Sequence, residues 1–173
     1  AYDATRYLIE LGHQRIGIIT GNLQRGCAVD RLAGYRAALA EGGQLDDAAL
    51  VTEGTFMQPS GFACANTLLA LPDPPTAIFA SNDEMAFGAM EAIRNRGLRI
   101  PDDISIVGFD DIPQAASVYP PLTTVRQPLA DMGRVATRML LQLVDDLNAP
   151  AEPVLLPTEL IVRQSARHCD TPA

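Results

Sequence analysis

The chain has 173 residues, with 13 basic residues (all arginine), 21 acidic residues, a formal net charge of −8 and 47% hydrophobic content. That size and apolar content suffice for a compact domain with a buried core, while the acidic balance argues against tight nucleic-acid binding by this stretch, because neutralising phosphates needs clustered cations. The absence of lysine excludes P-loop, Schiff-base and protein-kinase chemistry.

Periodicity predicts a first helix carrying Ala4, Tyr7, Leu8 and Leu11 and ending at Gly12, with the strand Arg15 to Thr20 directly after it. No capping residue precedes Ala1, so the natural chain is expected to continue upstream. A second helix is expected from Ala28 to Glu41, stopping at Gly42-Gly43, and a short strand from Leu50 to Glu53. Pro59 opens a third helix running to Leu71, and Pro72 to Pro75 forces an extended link into the strand Thr76 to Ala80. Ser81 and Glu84 read as a capping box for a fourth helix that reaches Gly97. Pro101 precedes the strand Ile104 to Phe109. Tyr119-Pro120-Pro121 then interrupts the pattern before an extended Leu122 to Gln127. A long amphipathic helix from Leu129 to Leu147, a proline-rich joint from Ala149 to Pro153, the apolar stretch Val154 to Val162 and a polar tail complete the chain.

Strands alternating with helices, without hairpin signals, predict an α/β fold: a doubly wound parallel sheet with flanking helices. In such a sheet the carboxyl ends of the strands share one edge, where open α/β sheets bind ligands. Three apolar runs stop on polar groups there: Asn22, then Ser81-Asn82-Asp83, then Asp110-Asp111. A pocket for a small polar molecule is the expectation.

The stretches LIELGHQRIGIITG, RLAGYRAAL, AIFASNDEMAFGAMEAIRNRGLRIPDDISIVGFDDI, PPLTTVRQP with MGRVA, and LLPTELIVRQS together resemble the effector-binding core of the LacI/GalR family of bacterial transcription regulators. The resemblance implies a periplasmic-binding-protein-like core whose N-terminal part is absent from this chain. Residues 1–123 would form the C-terminal subdomain, 124–150 a crossover strand and helix of the N-terminal subdomain, and 151–173 the returning crossover and tail. It implies further a cytoplasmic homodimer with a small-molecule effector, probed first as a neutral sugar. DNA would be bound through an N-terminal domain outside this chain, with no membrane partner, no enzymatic activity, no cofactor and no metal. A periplasmic sugar-binding protein of a transport system is the alternative. Three cysteines without short spacing, Cys27, Cys64 and Cys169, indicate neither a disulfide framework nor a zinc site, and a reducing compartment fits them.

By that resemblance the effector-binding residues are Arg31, Phe56, Asn82, Asp110, Gln127 and Cys27, though the position of Cys27 often holds a small polar residue in the family. Four of them have a second explanation. Arg31, near a helix start where the macrodipole disfavours a cation, either pairs with Asp30 or a nearby acid or turns its fork to ligand oxygens. Phe56 either stacks on a ligand or packs in the core. Asn82 serves a ligand or caps the helix. Asp110 has two acceptor oxygens suited to adjacent sugar hydroxyls, or bonds its own turn. Gln127, held extended ahead of Pro128, matches a polar contact at the crossover. Asp83 is assigned to capping, Asp111 and His13 to structural roles, and His168, Cys169 and the acid pairs 46–47, 102–103 and 145–146 to solvated surface. The helix from Asn82 to Arg96, with Met85, Phe87 and Met90, either supplies an apolar dimer patch or is buried on the sheet.

Overall fold

A computed structural model describes residues 1–146 and 152–169. The expected helix end at Leu147, most of the joint beginning at Ala149 and the last four residues lie outside them. The elements are α1 (Tyr2–Glu10), β1 (Ile16–Thr20), α2 (Gly26–Glu41), β2 (Val51–Glu53), α3 (Gln58–Leu68), β3 (Ala77–Ala80), α4 (Asp83–Asn95), β4 (Ser105–Asp110), β5 (Thr123–Arg126), α5 (Leu129–Asp145) and β6 (Glu159–Ile161).

One sheet of order β2-β1-β3-β4-β5-β6 unites the strands. β1 to β5 pair in parallel, and β6 runs antiparallel along β5. Strands β1 and β3 are buried along their whole length, which explains why they read as continuous apolar runs rather than alternating ones. Ile19, Ile78, Ala80 and Ile106 face α3 and α4, while Ile18, Phe79, Val107 and Val125 face α1 and α2, giving a core on each side of the sheet. Tyr35 of α2 is fully buried, and its hydroxyl donates to Ile16 O at 2.7 Å.

Helices α3 and α4 pack backbone to backbone. A Cβ added at Gly88 would lie 2.0 Å from Gln58 O, and one at Gly61 would lie 2.1 Å from Met85 O. Met85 and Met90 are consequently buried; the patch expected from Met85, Phe87 and Met90 is reduced to the partly buried Phe87 beside Phe62 and Val118.

Several local expectations are corrected. The fourth helix is capped by Asn82, not by a Ser81–Glu84 box: Asn82 has the extended dihedrals of a cap and its Oδ1 accepts from Met85 N. The acid pairs are not simply solvated, since Asp46 and Asp47 pair with Arg36 and Arg15, and Asp102 and Asp103 with Arg99. The tail is built into the fold. Ser165 is fully buried, its hydroxyl donating to Ile106 O and accepting from Thr123 N, and Cys169 N–H donates to Leu11 O. His13 is structural as expected, with both ring nitrogens bonded, to Thr76 Oγ1 and Arg167 O.

Candidate functional site

Each parallel strand delivers a group to the carboxyl edge of the sheet. β1 ends ahead of Gly21, β2 ahead of Phe56, β3 ahead of Asn82, β4 on Asp110, and β5 ahead of Gln127. Arg31 reaches the same place from α2. Its guanidinium lies over the Phe109 ring at 3.9 Å from the centroid and 5.9 Å from that of Phe56. It donates to Ser81 O and stands 3.9 Å from Asp110 Oδ1. The acid that compensates the Arg31 cation is Asp110 rather than Asp30. Burial lowers the Arg31 pKa, with Asp110 working against the shift, and stacking on aromatic faces offsets part of the desolvation.

Asp110 is fixed from the other side by Gln127, whose Nε2 donates to Asp110 Oδ1 at 2.7 Å. Burial raises the Asp110 pKa against the Gln127 bond and the Arg31 charge. The Arg31 and Asp110 side chains remain 15% and 24% exposed, so solute has access to both.

Asn82 carries two duties within its own chain. While Oδ1 caps α4, Nδ2 donates to Phe56 O at 2.9 Å. Phe56 adopts φ 65°, uncommon for an aromatic, and the Asn82 amide holds it there. Its ring lies on Gly21, where an added Cβ would sit 1.9 Å from the ring, and it packs, partly buried, against the core on the α3–α4 side of the sheet. Asp110 at φ 118° and Asp111 at φ 57° complete the non-glycine positive-φ residues among those described. All three lie at this edge, and strained backbone of about 1–3 kcal/mol per residue persists where surrounding contacts over-determine it.

Five of the six expected residues, Arg31, Phe56, Asn82, Asp110 and Gln127, therefore share one cluster. Cys27 is exposed in the first turn of α2, one turn ahead of Arg31. Asn22 instead forms a local turn, its Oδ1 accepting from Gln24 N. Two neighbours named in the sequence have partners that the sequence did not name, and only for Asp111 does the expected structural role hold. Asp111 is nearly buried and is gripped by Arg126 Nε and Arg163 Nη2, both at 2.7 Å; burial tends to raise its pKa, and these arginines outweigh it and leave the pKa lowered. Asp83 is not the cap but accepts from Thr124 Oγ1 and Ile112 N. Double-acid motifs beside single arginines in later strands are the signal available in sequence, and it does not specify the pairing.

A larger surface hollow of about 730 Å³, lined by Gln14, Arg15, Gln44, Asp46 and Asp47 among others, opens at the amino end of β1, the opposite edge of the sheet. Chemistry favours the carboxyl edge, where guanidinium, amide, carboxylate and aromatic ring converge. Among the described residues no three His, Cys, Asp or Glu side chains gather as a metal ion requires.

A twisted, mostly parallel sheet with a polar cluster at its carboxyl edge defines a ligand-binding domain of the periplasmic-binding-protein class. The family model of the periplasmic binding protein-like domain matches residues 5–166. The probable HTH-type transcriptional repressor ExuR of Bacillus subtilis is 41% identical over 169 residues, 98% of this chain and 51% of the relative. The transcriptional regulator CelR in complex with cellobiose superposes with TM-score 0.92 at 39% identity, over 95% of this chain and 50% of that one. A sugar-binding transcriptional regulator of the LacI family from Escherichia coli, in complex with phosphate, gives 0.87 at 34% identity, over 97% and 60%. The chain belongs to the LacI family of transcriptional regulators, as part of its periplasmic-binding-protein-like effector-binding core. It spans about half the length of the curated relatives it matches. Those relatives are repressors rather than enzymes or carriers.

Proposed function

We propose that this chain is the effector-sensing part of a ligand-responsive transcription repressor, with a small polar metabolite bound at the carboxyl edge of the sheet. The observation that carries the reading is the convergence of Arg31, Asp110 and Gln127 beside the Phe56 ring. A guanidinium fork and a carboxylate recognise adjacent hydroxyls, and an aromatic face suits the C–H face of a sugar ring. The acid facing Arg31 leaves the cluster without surplus positive charge, so a neutral sugar is the favoured class over a sugar phosphate. The CelR complex holds cellobiose, which supports the choice. The E. coli relative complexed with phosphate makes phosphate the necessary control.

Residues 1–123 are assigned to one subdomain, and 124–150 and 151–173 to segments crossing to and returning from a second. Helix α5 supports the division: none of its residues is buried, and Leu129, Met132, Leu140, Leu141 and Val144 stand 42–70% exposed. A stripe of that size calls for cover. Homodimerisation is assigned to the α3–α4 side, where Phe62 and Phe87 reach the surface beside Gln58 and Glu91. DNA contact is assigned to a domain outside these residues, and the setting to the cytoplasm, in keeping with three free cysteines.

Ligand acts by binding one subdomain arrangement more tightly than another, so regulation equals a difference of affinities. Calorimetric titration of the intact protein with cellobiose, D-ribose, D-glucose and inorganic phosphate tests the reading. Saturable binding of a neutral sugar is expected; selective binding of phosphate overturns the ligand class, and an Asp110→Ala variant that binds the sugar as tightly as the native protein overturns the site.

A further inference from the structure

Two of the proposed ligand groups, Asp110 and Gln127, sit where β4 and β5 end, and one buried side chain that touches neither directly holds both strand ends. Asp83 is fully buried in the first turn of α4, directly after Asn82. Its Oδ1 accepts from Thr124 Oγ1 at 2.6 Å, and its Oδ2 accepts from Ile112 N at 2.9 Å. Ile112 closes the strained turn that carries Asp110, and Thr124 lies three residues before Gln127 on β5. Space for the carboxylate exists because residue 108 has no side chain: a Cβ there would stand 2.3 Å from Asp83 Oδ1. Helix capping does not explain the group, since Asn82 does the capping. A carboxylate away from water is costly unless its hydrogen bonds are needed.

We propose that Asp83 is a positioning residue of the effector site: by holding Ile112 and Thr124 it sets the separation of Asp110 and Gln127 and thereby the affinity for a ligand hydroxyl. The inference rests on the effector reading given above. It makes Asn82-Asp83 a single organising pair, in which Asn82 fixes Phe56 through its carbonyl while Asp83 fixes the turn opposite. Both partners of Asp83 are donors, so the ionised form serves both. Protonation makes one oxygen a donor, and Thr124 must then reverse its hydroxyl or Ile112 lose its acceptor. Burial pushes the Asp83 pKa up to about 6; the Thr124 and Ile112 bonds act against that shift, and the charges of Asp110 and Asp111 add to it. Further charges at this edge include Arg31 from α2, Arg126 from β5 with its partner Glu159 on β6, Arg163 beyond β6, and Glu53 at the end of β2.

The test compares native protein, Asp83→Ala, Asp83→Asn and Thr124→Val, all in the intact protein, by hydrogen exchange at Ile112 and by titration with cellobiose and D-ribose from pH 5 to 7.5. Asp83→Ala is expected to speed Ile112 exchange and weaken sugar binding by on the order of tenfold or more, the scale of a lost hydrogen bond to a charged acceptor. An asparagine presents one acceptor to Ile112 and one donor to Thr124, so Asp83→Asn should regain most of the affinity. It should also flatten the part of the pH profile that Asp110 does not supply. Should Asp83→Ala fail to fold, Thr124→Val, nearly equal in shape, is expected to show a smaller loss in the same direction. Unchanged Ile112 exchange, or sugar affinity and pH profile in Asp83→Asn and Thr124→Val matching native protein, overturns the positioning role. Native protein that binds no probe overturns the effector reading instead, and the exchange data then decide whether Asp83 sets the turn.

Discussion

Gln127 Nε2 and Arg31 Nη2 both approach the same oxygen of Asp110, Oδ1, at 2.7 and 3.9 Å. Neither contact uses Oδ2, the oxygen that the proposed effector site would offer to a ligand. The two approaches restrict the carboxylate's rotation, and under the proposed effector reading that orients Oδ2 before binding and lowers the ordering cost of recognition.

That asymmetry predicts the outcome of Asp110→Asn. Gln127 keeps an acceptor only if the new carbonyl oxygen takes the place of Oδ1, which puts the amide nitrogen where Oδ2 was and converts an acceptor into a donor. Sugar affinity should fall by about tenfold to a hundredfold, the range of one charge-assisted hydrogen bond, with thermal unfolding little changed. Titration and a melting curve on the same sample check both halves; undiminished affinity shows that Oδ2 does not face the ligand.

Gly21→Ala tests the seat of Phe56. The added methyl would overlap the ring at 1.9 Å, and the ring, being partly exposed, can swing away toward solvent. The stability cost is expected near the low end of overpacking, about 1 kcal/mol, whereas sugar binding should suffer as much as in Phe56→Ala. A Gly21→Ala protein that binds sugar normally removes Phe56 from the site.

Strand and helix placement was legible because burial imposes period: continuous apolar runs marked β1, β3 and β4, and 3.6-residue spacing marked the helices. The cap of α4 was not resolved by that logic, since Ser81, Asn82 and Asp83 are all cap-competent and only the backbone dihedrals choose Asn82. Asp83 was misassigned for a different reason. Its partners lie 29 and 41 residues away, beyond any local pattern. Ser165 read as tail polarity because burying a hydroxyl is acceptable once it bridges two strands, and sequence shows the hydroxyl without the bridge. For α5 the periodicity located the apolar stripe and said nothing of what covers it. That Asn82 and Asp110 lie on one edge was legible because the strand ends of a parallel sheet share it, whereas Arg31, on α2, entered only through the family resemblance and its contact with Asp110 emerged only in three dimensions.

Backbone contact between α3 and α4 makes Gly88 a sensitive core position. A methyl there meets Gln58 O at 2.0 Å and Phe62 N at 2.6 Å, both main-chain atoms that cannot rotate aside. Gly88→Ala should cost about 1–3 kcal/mol or more by forcing the helices apart, despite the higher helix propensity of alanine. Chemical denaturation with an unchanged midpoint contradicts this packing. Because the same helices flank the Phe62–Phe87 surface, the variant should also weaken any self-association measured by sedimentation.

The pH dependence of stability offers an independent check on Asp83. Its folded pKa of about 6 lies above the 3.8 of an ordinary aspartate, so between those values the native state holds a proton that the unfolded chain releases. The stabilising contribution is therefore complete below about pH 4 and is lost as pH rises through 6. A shift of that size corresponds to on the order of 3 kcal/mol. Asp83→Asn cannot release the proton, so its unfolding free energy should gain on that of the native protein as pH is raised from 4.5 to 7.5. Asp110 and Asp111 titrate in both proteins and largely cancel in the comparison. Denaturant titrations at several pH values supply the two curves, and parallel curves across that range would place the Asp83 carboxyl in water rather than buried between Thr124 and Ile112.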